Sequence, residues 1–360
     1  MTRQMQSDYM DFAKFGADAR YNLATSGVAN ADLADLGLTW SDLALHGPNA
    51  GGYAPLVEKV ATRFGIDAAC VVMPGGGCSF ANHLALAALV APGDEVVVEW
   101  PSYELLSSTL GYLQADVRRF ERRLDEAWRL DAYRAAAAIT PKTKVVVLTN
   151  LHNPSGALAD DAAIAAVAAA AAKVGATVFV DEVYRELMFA DGEPATTSFR
   201  EEGNVVVTSS LTKAYGLTGL RCGWILAPPL IAQRMRRLND LYGVHPPHIA
   251  ERMAVVAFER LPQLRARATA LIDDGRAAYK AVLGGHPKLT QVVFEQGTTV
   301  FPRLAEGDGD HFFQRLTEKF ETSIAPGRYF GLTRHIRIGL AGDPQATRIG
   351  LGRVAAALDE

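Results

Sequence analysis

Residues 204–227 read "NVVVTSSLTKAYGLTGLRCGWILA". An apolar, β-branched run leads into a loop of serine, threonine and glycine, and a second apolar run, "GWILA", leads out. The loop holds Lys213 and Arg221. The first run is apolar almost throughout instead of alternating, the pattern of a strand covered on both faces. A surface turn has no need of an amine between two buried strands. A site that keeps an amine out of bulk water, beside a bound anion, does.

The same texture recurs upstream in "EVVVEW" (95–100), "KVVVLTN" (144–150) and "TVFVDE" (177–182). Helical stretches lie between these runs. "SFANHLALAALVA" (79–91) stops at Pro92-Gly93, and the alanine-rich "DDAAIAAVAAAAAKVGA" (160–176) ends near Gly175. Strand alternating with helix predicts an α/β fold, with a mainly parallel sheet covered by helices. "RRFERR" (118–123) reads as a solvated edge. After about residue 228 the pattern changes to one long helical stretch, to 283, then shorter strands "QVVFE" (291–295) and "HIRIGLA" (335–341) and a closing helix. This predicts a large domain over 45–250 and a smaller α+β domain built from 1–44 and 251–360 together.

Composition sets the outer limits. The chain has 360 residues, 49% hydrophobic and 21% charged, with a net charge of −4. That balance gives no basic footprint for nucleic acid or an anionic membrane. No apolar run approaches the ~20 residues that span a bilayer. The opening "MTRQMQSDYMDFAKFG" lacks the apolar core of a signal peptide. Cys70, Cys78 and Cys222 match no metal spacing, and so few cysteines suit a reducing cytoplasm. The expectation is a soluble, cytoplasmic enzyme.

Ligands of open α/β sheets bind at strand ends. "KVVVLT" ends in "NLHNPSG", "TVFV" in "DEVY", "NVVVTS" in "SLTK" and "EVVVEW" in "PSY". These endings deliver Asn153, Asp181 with Tyr184, Ser210 with Lys213, and Tyr103. A lysine with lowered proton affinity forms a Schiff base with a carbonyl. A carboxylate can hold a protonated ring nitrogen, a phenol and an amide can bond a ring hydroxyl, and an aromatic can stack. Ser210 and Arg221 can hold a phosphate. "MPGGGCSFANHL" (73–84) places three glycines before a helix, a second anion cradle. The ligand so described is pyridoxal phosphate (PLP).

Together these blocks resemble the class I/II aminotransferase family of fold-type I PLP enzymes, from roughly residue 20 to the end, and the resemblance implies seven strands in the large-domain sheet. "SSLTKAYGLTGLRCGW" resembles its Ser-x-x-Lys…Gly-Leu-x-Gly-x-Arg-x-Gly block. "NLHNPSG" resembles its Asn-Pro-Thr/Ser-Gly block, and "DEVY" its Asp-x-x-Tyr block. The resemblance implies that Lys213 carries PLP as the internal aldimine and shuttles a proton, and that Asp181 bonds the pyridine nitrogen. It implies that Tyr184 and Asn153 bond the ring hydroxyl oxygen, and that Tyr103 stacks on the ring. Ser210, Arg221 and the backbone N–H groups of Gly76, Gly77 and Cys78 would hold the phosphate. Arg337 would bind the substrate carboxylate, with Ser26 and Gly27 of "NLATSGV" lining the pocket. Catalysis would rest on Lys213, Asp181 and Tyr184. No metal is implied.

Plainer roles stand beside these. Cys78 and Cys222 read as small packing residues rather than nucleophiles. "HPPH" (245–248) reads as a helix start or cleft lining rather than a metal site. The family's tyrosine that reaches the neighbouring subunit's phosphate is missing. In "LALHGPNAGGYAPL" its place falls at His46 or Gly47, and Tyr53 comes too late. His46 or Asn49 takes that contact, or nothing does. The expected activity is transfer of an α-amino group from an L-amino acid to a 2-oxo acid by ping-pong chemistry, in a homodimer with its site at the subunit interface. A β-lyase, cyclase or oxidase on the same cofactor is the alternative. A ligand-sensing module without turnover is a third reading, disfavoured because no DNA-binding segment precedes residue 20.

Overall fold

A computed structural model describes residues 3–189 and 195–360. Its centre is a seven-stranded sheet. In chain order the strands are β1 (Val71–Val72), β2 (Glu95–Trp100), β3 (Asp116–Glu121), β4 (Thr143–Thr149), β5 (Thr177–Asp181), β6 (Val205–Ser210) and β7 (Gly223–Leu226). Across the sheet they run β1-β7-β6-β5-β4-β2-β3. The pairs from β3 to β6 are parallel, and β7 is antiparallel to both its neighbours.

The sheet is apolar on both faces because both are covered. Val97, Val146, Val178 and Val207 point into one cluster, shared with the helix Asp161–Ala172. Val96, Val147, Phe179 and Val206 point into the other, shared with the helix Gly77–Leu89. Successive side chains leave a strand on opposite sides, so a continuous valine run feeds both layers. Each fully buried valine contributes about 1.5–3 kcal/mol of transfer free energy.

Strand β3 closes one side. Only Phe120 of its six residues is buried, and charge on the others blunts the edge. The "RRFERR" cluster is not solvated throughout, however. Arg122 is fully buried, donating to Glu99 at 2.9 Å and to the carbonyl of Trp128 at 2.7 Å. A buried guanidinium needs such partners.

Beyond the sheet, the expected helical stretch consists of three helices: Pro229–Asn239, His248–Glu259 and Leu261–Leu283. The first break falls at Val244, with φ of +53°, and at Pro246-Pro247, which have no N–H to donate. The "QVVFE" strand is also corrected. The strand there is Leu289–Thr290, paired antiparallel with Arg303–Leu304. Continuing that ladder would set Gln291 opposite Pro302, which cannot donate. Gln291 instead gives its amide to the carbonyl of Leu283 at 2.6 Å. "HIRIGLA" does form a strand, Ile336–Gly339, between Thr299–Val300 and Ala325–Pro326. Helices Leu261–Leu283 and Pro344–Asp359 pack on one core beside it. The N-terminal segment joins this part, for Tyr21–Asn22 pairs with Thr322–Ser323.

Candidate active site

The C-terminal ends of β2, β4, β5 and β6 open toward one cleft. Asp181 ends β5 and is buried. One carboxylate oxygen accepts from the Asn82 amide at 2.7 Å, the other from the Val183 N–H at 3.0 Å. Asn82 is itself held by Thr208, whose hydroxyl donates to it at 2.6 Å. Desolvation still pushes the Asp181 carboxyl above its ordinary value, despite those bonds and the nearby Lys213. A buried anion in that state is stabilised by a cationic N–H donor.

Lys213 lies on the short helix Leu211–Tyr215 directly after β6. Desolvation pulls its ammonium below the ordinary lysine value; Tyr9 opposes this, and Arg337 and Arg221 add to it. Room for the lysine stem comes from Gly27, where a Cβ would stand 3.2 Å from the Lys213 Cδ. The Val28 N–H fastens this segment to the Lys213 carbonyl at 3.1 Å. Ser26, next to it, is buried.

Three elements meet at the start of the helix Gly77–Leu89. Ser210 pairs with Gly223 in the β6–β7 ladder. A Cβ on Gly223 would lie 2.5 Å from the carbonyl carbon of Gly77. Arg221 donates to the Gly76 carbonyl at 2.7 Å and stays exposed. Gly76 and Gly77 have φ of +66° and +72°, a region open to glycine. The Gly77 N–H, expected to face an anion, donates instead to the Arg221 carbonyl at 2.8 Å. This glycine is required for its φ and for room, while the amide of Cys78 lies in the first turn of the helix. The Cys78 thiol points the other way, to Asp181 at 3.5 Å.

Opposite the cradle stands Arg337, fully buried on strand Ile336–Gly339. It donates to Asn153 at 3.0 Å, to the Tyr9 hydroxyl at 2.7 Å and to the Ala24 carbonyl at 2.9 Å. Its Nε has no partner among the described residues. Tyr103 packs edge-on against Tyr9, with ring centroids 5.5 Å apart. Burial raises the Tyr103 and Tyr184 phenols. Every expected site residue therefore falls in this one region.

Two residues were not expected. Asn82 is an amide on the otherwise apolar buried face of its helix, four residues after Cys78, and that pattern was the available signal. Tyr9 left none, because its partner Arg337 lies across the whole chain. Around the missing tyrosine, His46 is exposed. Asn49 is engaged within its own chain, donating to the Pro246 carbonyl at 2.7 Å and to Glu251 at 3.1 Å. His248 opens the helix His248–Glu259 and packs on Tyr53 with ring centroids 5.0 Å apart.

The sequence profile of the family described as aminotransferase class I and II matches residues 42–354. The chain belongs to that family. It is 30% identical over 335 residues to capreomycidine synthase of Streptomyces vinaceus, covering 90% of this chain and 86% of that protein. It is also 30% identical over 327 residues to the arginine–pyruvate transaminase AruH of Pseudomonas aeruginosa, covering 86% and 81%. Among solved structures, the PLP-dependent cyclase OrfR superposes with a TM-score of 0.87 at 24% identity, covering 100% and 98% of the two chains. The fold is that of the fold-type I PLP enzymes. The chain is an enzyme of the PLP-dependent transaminase class, and pyridoxal phosphate is its cofactor. The residues fit that group: a desolvated lysine, a buried carboxylate bonded by the neutral donors of Asn82 and Val183, and a glycine cradle where added carbon would collide with Arg221.

Proposed function

We propose that this aminotransferase-family enzyme moves the α-amino group of an L-amino acid to a 2-oxo acid by ping-pong chemistry. The observation that carries the proposal is the convergence of Lys213, Asp181 and Arg337 on one cleft, with Asn153 bonded to Arg337. Bound there, pyridoxal phosphate supplies an electron sink for the pair released from the substrate Cα–H bond. Lys213, its proton affinity lowered, takes that proton as a free amine and returns it. Asp181 would accept from the pyridine nitrogen, oriented by Asn82. Tyr184 and Asn153 would bond the ring oxygen, and Tyr103 would stack. Ser210, Arg221 and the amides of Gly76 and Cys78 would hold the phosphate. Arg337 would grip the substrate carboxylate in a fork, with Ser26 and Gly27 closing the pocket beside Lys213.

The working unit in this reading is a cytoplasmic homodimer. Leu33, Trp40, Leu45, Leu241 and Val244 are large apolar side chains left well exposed, as a subunit interface requires. Residues 45–250 would be the large domain, with 1–44 and 251–360 as the small one. No helix among the described residues is long and apolar enough to cross a membrane.

The test is the absorbance of the purified holoenzyme, read as L-amino acids are added without acceptor. A band near ~420 nm moving toward ~330 nm reports passage of the cofactor to its amine form. A second reading is a cyclase or lyase on the same cofactor, favoured by the similarity to capreomycidine synthase over 90% of the chain. There the band would persist while product accumulates with no 2-oxo acid acceptor.

A further inference from the structure

The N-terminal arm brings a phenol to the carboxylate site. Helix Asp8–Asp11 carries Tyr9, 6% exposed, to the Nη2 of Arg337 at 2.7 Å. The arm is fastened on both sides of the cleft. Gln4 donates to Ser108 at 2.8 Å and Arg3 to the Tyr112 carbonyl at 3.0 Å, both on the helix Glu104–Tyr112 that follows Tyr103. Phe12 stacks on Tyr329, with centroids 4.8 Å apart, beside the strand that bears Arg337. The phenol is thus placed, not loose.

Its hydrogen-bond capacity is half used. The Tyr9 oxygen accepts from Arg337, and its own O–H has no acceptor among the described residues. Arg337 also keeps its Nε–H unpaired. Two donors, the Tyr9 O–H and the Arg337 Nε–H, are therefore left over on buried residues, and a carboxylate is an acceptor with room for both. We propose that Tyr9 is a positioning residue of the carboxylate subsite, its oxygen holding Arg337 and its O–H donating to the carboxylate that Arg337 binds. This rests on the reading of Arg337 given above. The nearby charges of Arg337 and Lys213 hold the Tyr9 phenol below its ordinary value against desolvation, which strengthens it as a donor. The selected feature is the carboxylate of an α-amino acid, against an amine that lacks one.

The experiment uses Tyr9→Phe, which keeps the ring packing, with Tyr9→Leu as the variant that loses it. In Tyr9→Phe holoenzyme the KM of the best L-amino acid rises about tenfold or more, the scale of a hydrogen bond to a charged group, and kcat changes less. The preference in kcat/KM for that amino acid over the primary amine lacking its carboxylate falls by the same factor. Propionate provides a readout free of turnover: it slows tryptic cleavage after exposed Lys14 in the parent holoenzyme and loses that effect in Tyr9→Phe. An unchanged preference overturns the proposal, and so does a lower KM, which would show the phenol competing with the carboxylate. If the parent binds PLP yet no amino acid reacts, the transaminase reading fails, and the propionate protection still decides the role of Tyr9.

Discussion

A Cβ on Gly77 would stand 2.7 Å from the Nη2 of Arg221. The two residues share one small space at the helix start, and Gly77 also needs its φ of +72°. Gly77→Ala should therefore both strain the backbone and push the guanidinium aside. The expected cost is about 1–3 kcal/mol in stability, together with weaker PLP retention. Thermal unfolding with and without added PLP, and dialysis of the holoenzyme, measure the two effects.

Lys213→Ala should abolish turnover, at least ~10³-fold, because the group that holds and returns the proton is gone. The ~420 nm band should be lost or strongly altered. An unaltered spectrum and rate would sink the site assignment.

Arg337→Lys keeps the charge but not the fork. Asn153, Tyr9 and the Ala24 carbonyl then compete for fewer donors. The KM for the amino acid should rise on the order of 10–100-fold, since a charged hydrogen bond is worth about 1.5–3 kcal/mol. Steady-state kinetics with several donors provide the check.

The pH dependence of stability should differ between the PLP-free and loaded protein. Burial raises Asp181 in the free protein, so the folded state binds more protons than the unfolded one. That contribution is present below the ordinary carboxylate value and is lost as pH rises through the folded one. A cationic partner on the loaded protein reverses the sign. The gap in Tm between loaded and free protein should widen as pH increases from about 4. In Asp181→Asn the widening should shrink. Scanning calorimetry across pH measures this.

Asn82→Leu should act on the same carboxylate without touching Lys213. It removes the 2.7 Å bond to Asp181 and strands the Thr208 hydroxyl. A drop in kcat with a weakened hold on PLP is expected, roughly tenfold. Unchanged kinetics would show that the amide serves only packing.

Much of this was legible because burial on both faces writes itself plainly into a strand. The runs at β2, β4, β5 and β6 stand out for that reason, and their polar endings mark the cleft. Edges and breaks were harder. "QVVFE" has a strand's composition, but its fate depended on Pro302, which comes opposite only after the chain folds back. Arg122 read as solvent-facing because its partner Glu99 sits on a neighbouring strand. Tyr9 was invisible for the same cause: its meaning lies in Arg337, brought to it by tertiary packing alone.

The Ser210–Gly223 pairing in the β6–β7 ladder has one more consequence. Lys213 and Arg221 lie within a single closed loop whose two ends are pinned by that rung. The separation of amine and anion site is therefore a fixed gauge, kept by one hairpin and insulated from drift elsewhere in the sheet. Surrounding loops can change length and alter what enters the cleft, while an insertion between Lys213 and Arg221 would reset the gauge itself.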